Sequence, residues 1–475
     1  MDNSNSESFR DALSTVDSSG KRVWVYPKKP KGKFYNARTW VSILLLIFLF
    51  TGPYIKINGE PLLLLNVIDR KFVLFGNIFW PQDFHLFAIG MITFFVFIIL
   101  FTVVYGRVFC GWVCPQTIFM EMLFRKIEYL IEGDWTQQKA LDRKKGTTEY
   151  ITKKGLKHGI FFIISFLIAN TFLAYIIGGD ELIKIVTDPP SAHIGGLLAI
   201  LLFTAIFYGV FAKLREQVCT TICPYGRLQG VLLDRHSIVV AYDHERGEGR
   251  AKFKKGEIRK EVNKGDCIDC HQCVNVCPTG IDIRNGTQLE CVNCTACIDA
   301  CDAMMDNVGL PKGLIRYDSE ASIAEKKKFK FTPRIIAYTV VLCILMFGMM
   351  GLMVSRTDVE ASVQRTAGST FTKQGDSEII NLYNYKIINK TNKELPIEIK
   401  LLNDDFGRIN VISGNIIVEE QGLTQGALMI IANRDEISKF RTSLMIGIYS
   451  DGELIDKAKT TFIGPVKRTK NELGK

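Results

Sequence analysis

Five long apolar runs constrain this chain more than any other feature. They lie at about 40–57 (WVSILLLIFLFTGPYIKI), 85–106, 158–178, 193–213 and 334–354. A helix needs about 20 predominantly apolar residues to cross the hydrocarbon core of a bilayer, and each run approaches that length. The mean hydropathy is +0.13 although 23% of the residues are charged, so the apolar residues are concentrated in these runs. The expected architecture is α-helical and membrane-spanning, with five spans. The first run begins too late, behind too many basic residues, for a cleaved signal peptide. The stretch PLLLLNVI at 61–68 is too short to span and is expected at the interface.

Charge orients the spans. The segment before the first span carries Lys21, Arg22, Lys28, Lys29, Lys31, Lys33 and Arg38, and residues 107–157 and 213–333 are also basic. The intervening loops are poor in basic residues, with Arg70 and Lys71 in one and Lys184 in the other. The positive-inside rule places the basic segments in the cytoplasm and residues 356–475 outside. The net charge of +10 is explained in this way. No nucleic-acid motif accompanies it, so nucleic acid is not an expected partner.

The chain has 13 cysteines. Eight form two runs of one spacing: Cys267-x2-Cys270-x2-Cys273-x3-Cys277-Pro278, then Cys291-x2-Cys294-x2-Cys297-x3-Cys301. Three close thiolates grip three irons of a cubane, and the last Cys of each run serves the other cluster. Two [4Fe–4S] clusters are expected. The first would take Cys267, Cys270, Cys273 and Cys301; the second would take Cys291, Cys294, Cys297 and Cys277. Structural zinc prefers separated C-x2-C pairs, and tight motifs argue for metal ligation in a reducing compartment, not disulfides. His271, inside the first loop, is expected beside the cluster or facing solvent.

Four more cysteines form two C-x3-C-P motifs, Cys110/Cys114 before Pro115 and Cys219/Cys223 before Pro224. Each ends an even-numbered span, in a weak internal repeat of two helical hairpins. On a helix, positions i and i+4 share a face. If the hairpins pack together, four thiols converge on a joint metal or redox site suited to Cu(I), zinc or an iron–sulfur cluster. Arg107, Arg125, Arg215 and Arg227 lie near enough to depress thiol pKa values. Pro115 and Pro224 suit the first turn of a new helix. Cys343 stands alone mid-span and reads as packing. His85 and His193 open spans two and four; a membrane haem could use such a pair, although single interfacial histidines are commoner.

The domain map follows: a basic N-terminal tail (1–38, its first 20 residues read as disordered), a four-span membrane region (39–213) with the loop 107–157, a ferredoxin-like α+β insertion (214–333, core 260–305), a fifth span (334–354), and residues 356–475. The last region alternates polar and apolar residues between Asn, Gly and Asp turns, which predicts a β-sandwich of about seven strands. It has no His, no Cys and no phosphate loop, so it is expected to dock or support.

The segments FWPQDF (79–84), CGWVCPQT (110–117), CPYGR (223–227) and the run from Cys277 to Asp302 resemble the FixG/CcoG/RdxA proteins, accessory factors for assembly of the cbb-type cytochrome c oxidase. The resemblance implies a bacterial inner-membrane protein with an external Ig-like C-terminal domain. It implies reduction of Cu(II) to Cu(I), with Cys110, Cys114, Cys219 and Cys223 as the catalytic, copper-handling positions and oxidase subunits or copper-delivery proteins as partners. A quinol-dehydrogenase subunit resembling the NapH-like ferredoxins is the alternative, though it does not account for the β-domain; a non-catalytic assembly scaffold is another. No flavin or nicotinamide fingerprint is present, so an external donor or quinol must supply electrons. Oligomeric state, a homodimer included, is not readable.

Overall fold

The computed structural model describes residues 15–465 except 18, 58, 68–70, 80–83, 260, 327–330, 356, 358, 369, 376, 392, 403–405, 413, 421 and 438. The expected tail at 1–14 and most of FWPQDF lie outside the described residues. Among those described, five helices are long and apolar enough to cross a membrane. They are Lys33–Tyr54, His85–Tyr105, Thr148–Ile177, Pro190–Leu214 and Pro333–Val354. In a bilayer a helix satisfies its backbone polar groups internally, which is why such sequences span in this form.

Two helices outrun their apolar sequence, and each has a local reason. The first starts at Lys33, where the Asp299 carboxylate accepts the amides of Phe34 and Tyr35 (3.2 and 2.8 Å). The third starts at Thr148, where the Thr147 hydroxyl accepts the Tyr150 amide. The 61–68 stretch does not span. Leu63–Asn66 instead joins Lys71–Leu74 and Asn77–Phe79 in a small antiparallel sheet.

Three π-helical segments, Ile118–Phe124, Val210–Leu214 and Val218–Ile222, lie around the C-x3-C-P motifs. Such wide turns recur at functional sites. Aromatic packing fixes two of them. Phe124 stacks on Phe211 at 4.7 Å and meets Phe161 edge-on at 4.8 Å, within a core that includes Phe119 and Ile168.

The ferredoxin-like part is built on an antiparallel pair, Val239–Tyr242 with Ile315–Asp318, and the helix Ala296–Val308. Residues 21–32 run across it as a strap. The Lys28 amide donates to the Asn275 carbonyl (2.7 Å), the Lys29 amide to Asp134 (2.9 Å), and the Tyr129 hydroxyl to the Pro27 carbonyl (3.0 Å). Trp24 lies between the guanidinium groups of Arg22 and Arg215.

Residues from Met350 onward form a separate compact unit. Its described strands form two antiparallel sheets. One orders Arg408–Val411, Leu423–Asn433, Glu378–Asn389 and Val359–Arg365, with Thr372–Gln374 also on Glu378–Asn389. The other orders Ile416–Val418, Leu395–Leu401, Arg441–Ser450 and Glu453–Ile463. Alternation along Glu378–Asn389 turns Ile379, Tyr383, Tyr385 and Ile387 into a core shared with Leu428, Ile446 and Phe462. The sandwich has more strands than the expected seven. NVISGNIIVEE contributes to two short strands, Arg408–Val411 and Ile416–Val418, with Gly414 in left-handed backbone between them, and Val359–Arg365 and Thr372–Gln374 are too polar to announce themselves.

Candidate iron–sulfur and thiol site

The two cysteine runs fold as matching loops. Asp269 and His271 adopt left-handed backbone (φ 53° and 54°), and so do Asn293 and Thr295 (φ 52° and 65°) at the equivalent places. Left-handed geometry is costly for such residues, above all for β-branched Thr295. Its use is to turn successive amides into an anion-binding concavity, a device common at Fe–S sites. Thiols from both runs mingle. Cys277 lines one small cavity together with Cys291, Cys294 and Cys297, and Cys273 reaches its edge. Burial pushes the Cys301 thiol up to about 12, and Cys273, Cys270 and Cys267 add to the rise. Cys297 is raised by burial and then by Cys294, Cys291 and Cys277. Thiols of the two runs thus lie side by side, Cys277 of the first among those of the second.

Among the described residues, no three His, Cys, Asp or Glu side chains converge closely enough to hold a metal ion. The cysteine donor set, its spacing and the amide concavities fit two cubanes.

The four membrane-edge cysteines also come together. Burial raises the Cys219 thiol to about 12, and neighbouring Cys114, Cys110 and Cys223 push the same way. Neither pair shares one helical face. The helix Val108–Trp112 ends before Cys114, and Cys114 and Cys223 instead precede new helices that begin at Pro115 and Pro224. The expected role of proline holds, but the i, i+4 argument does not. Cys110 and Cys219 pack against the Val276, Val292, Cys294 and Ala296 cluster that Cys297 also touches. Gly111 makes this approach possible: a Cβ there would lie 2.5 Å from the Val292 carbonyl oxygen and 2.7 Å from that of Asn293.

Two buried guanidinium groups bracket the junction. Arg38 donates to the carbonyls of Gly111 and Cys294, both at 2.9 Å. Arg107 donates to the Gln229 side-chain oxygen (2.9 Å), to Gly226 (2.8 Å), and to the carbonyls of Leu289 and Cys291. The Cys110 thiol donates to the same Gln229 oxygen at 3.1 Å, while the buried Gln229 amide nitrogen has no hydrogen-bond partner. Gln229 has no motif signature and was invisible to sequence reasoning, as was Arg38.

Several expectations need correction. The arginines do not depress the membrane-edge thiols. Cys110 rises to about 11 because burial outweighs Arg107, and Cys114 rises for the same reason. Arg125 and Arg215 are engaged elsewhere. Arg215 clasps Glu128 through two hydrogen bonds (3.0 and 2.8 Å), Arg125 pairs with Glu121 (3.0 Å), and Arg227 is exposed. Cys343 is exposed on its helix, not packed. His85 is exposed, and His193 bonds Asp188 at 3.1 Å. His271 is half exposed and accepts from Arg284 at 2.9 Å.

Comparison with known proteins agrees with this site. Residues 214–320 match a 4Fe–4S dicluster domain family, and residues 87–138 match a 4Fe–4S binding domain family. Residues 349–465 match the Ig-like fold at the C-terminus of FixG. Protein RdxA of Cereibacter sphaeroides is 34% identical over 389 residues, covering 78% of this chain and 81% of its own. Protein RdxB of the same organism is 34% identical, covering 81% and 83%. Nitrogen fixation protein FixG of Rhizobium meliloti is 31% identical, covering 80% and 79%. A solved FixG-related protein from Vibrio parahaemolyticus aligns with 23% of this chain and all of its own at 23% identity, with a TM-score of 0.20, too low to bear on the fold. At 34% identity over about four fifths of both chains, with 4Fe–4S matches, the FixG C-terminal match and five membrane-length helices, this chain is an iron–sulfur membrane protein of the FixG/RdxA family.

Proposed function

We propose that the chain is an inner-membrane reductase that passes electrons from its ferredoxin-like part to the membrane-edge thiols, where Cu(II) becomes Cu(I) for assembly of a cbb-type oxidase. The observation that carries this reading is the packing of Cys110 and Cys219 against the buried cluster that contains Cys294 and that Cys297 also touches. In the proposed ligand assignment, Cys267, Cys270, Cys273 and Cys301 hold one cluster and Cys291, Cys294, Cys297 and Cys277 the other. Bound clusters supply one-electron storage. The chain's own residues do the rest. Arg38 and Arg107 hold the cysteine loop against the thiol turns, Gln229 orients the Cys110 thiol, and the soft sulfurs favour Cu(I) over Cu(II). Each copper takes one electron from an external one-electron donor. The alternation of basic loops supports a cytoplasmic ferredoxin part and a periplasmic Ig-like domain.

A second reading has one observation in its favour. The 4Fe–4S binding match at 87–138 contains Cys110 and Cys114 as its cysteines, so the four thiols could hold a third cluster. One experiment separates the two. Reduced, purified protein is mixed with Cu(II) and a Cu(I)-specific chelator, beside a Cys110→Ser/Cys219→Ser variant. The copper reading expects the variant to keep its iron and lose Cu(I) formation. Loss of one cluster's iron favours the second reading. Normal copper reduction by the variant removes the thiols from the mechanism, and reduction of quinone analogues without copper binding moves the chain to the quinol-linked class.

A further inference from the structure

The two ferredoxin half-sites share a backbone but not an electrical environment. Around the second set, the nearby charged groups bonded to its loop are cations. Arg38 donates to the Cys294 carbonyl and Arg107 to the Cys291 carbonyl. Both side chains are buried, and neither takes part in an ion pair among the described residues. Glu121 reaches Cys294 electrostatically but is paired with Arg125.

Around the first set, cations and carboxylates are interleaved, four carboxylates to three guanidinium groups. Arg284 is held by Asp269 and Asp282, each at 2.6 Å, so its charge is more than matched. Asp302 follows Cys301 directly and acts on it. Arg259 donates to the Cys267 carbonyl at 3.0 Å and offsets one of these carboxylates. Arg250 is matched by Glu248 at 2.7 Å. Asp299, held by the Phe34 and Tyr35 amides, lies between Cys297 and Cys301 on one helix and does not distinguish the sets.

We propose that the second set forms the higher-potential centre and that Arg38 and Arg107 make it so, which gives electron flow a built-in direction from the first set toward the membrane-edge thiols. The inference rests on the proposed relay and adds its polarity. A reduced cluster carries one more negative charge, so nearby cations stabilise it and nearby carboxylates oppose it; net charge and hydrogen bonding are established determinants of cluster potential. By solvent exposure the first set is the more buried, with Cys267, Cys273 and Cys301 buried against Cys294 alone in the second, which by itself disfavours the added electron there. The guanidinium groups act through a water-poor medium, where a charge is felt more strongly than in water. Each transfer oxidises the first centre by one electron and reduces the second by one. No bond is made or broken, and no proton is required.

Arg38 and Arg107 are positioning residues, and potentials test them more directly than turnover does. An anaerobic redox titration of the iron-loaded protein in detergent, followed by electron paramagnetic resonance, should give two midpoints. Arg107→Gln and Arg38→Gln should each lower the higher midpoint by about a tenfold change in the oxidised-to-reduced ratio, ~59 mV for one electron, and leave the other in place. Arg107→Lys should restore most of the shift. Asp269→Asn, at a half-exposed position, and Asp302→Asn should raise the lower midpoint alone. The proposal is overturned if the arginine variants move the lower midpoint or neither, or if the aspartate variants move the higher midpoint or neither. The aspartate arm decides the matter even where an arginine variant loses iron. Ordered midpoints in a protein that does not reduce copper would sink the copper reading and leave this one standing.

Discussion

Two groups of buried cations flank the membrane edge, and they are compensated differently. Arg125, Arg215, Lys154 and Lys157 face Glu121, Glu128, Glu132 and Glu216, with Lys157 at 2.7 Å from Glu132 and Arg22 of the strap at 2.7 Å from Glu216. Arg38 and Arg107, equally buried, face carbonyl oxygens and thiols. A buried ion without a counter-charge is expensive. The first group is complete as protein alone. The second gains its negative charge when the neighbouring cysteines bind a metal centre as thiolates. The difference separates a structural ion network from one built for a cofactor.

The largest expected effect comes from breaking the complete network. Glu128→Ala takes from buried Arg215 its hydrogen-bonded counter-charge and should destabilise the detergent-solubilised protein by about 3–5 kcal/mol, read by chemical denaturation. Arg107→Gln should cost much less in metal-free protein than in iron-loaded protein; equal losses in both forms would erase the distinction drawn above. Acid provides a second probe. Burial alone would raise the Glu128 pKa, but Arg215 and Lys157 overcome it and hold it at about 2, below the usual 4.5. A depressed folded-state pKa contributes stability above the unfolded value. That contribution should therefore be intact above about pH 4.5 and fade as pH falls toward 2, with Glu128→Gln flattening this part of the melting-temperature profile.

Smaller effects sharpen the thiol side. Gln229→Ala removes the acceptor of both Cys110 and Arg107 and should weaken metal binding at the membrane-edge thiols by about 10–100-fold, measured by competition with a chelator of known affinity. Gly111→Ala forces a methyl group onto the Val292 and Asn293 carbonyls and should cost about 1–3 kcal/mol, with faster loss of iron on heating. Lys153→Ala, which breaks an exposed pair with Glu149, should leave the melting temperature unchanged and serves as the control.

The contrast also marks what is legible in a sequence. Membrane helices announce themselves by length and apolarity, and the ferredoxin loops by cysteine spacing, because both are local. The C-x3-C-P motifs were readable as sites, and Pro115 and Pro224 as helix starts. The backbone path between the paired cysteines was not, because π-turns and helix breaks are set by packing such as Phe124 on Phe211. Whether a nearby arginine acts on a thiol depends on its other partners. Arg215 is nearer to Cys219 in sequence than Arg107 is, yet it belongs to Glu128. Gln229 and Arg38 lie outside every motif, and tertiary contact alone reveals them.

The strap at residues 21–32 has a consequence for biogenesis. The ribosome makes Phe34 long before it makes Asp299, 265 positions later, and Lys28 long before Asn275. Pro27 and Lys29 can meet Tyr129 and Asp134 early, but four membrane segments are made before Lys28, Phe34 and Tyr35 have their partners. Their seating is the last local step, available once the cysteine loops have folded.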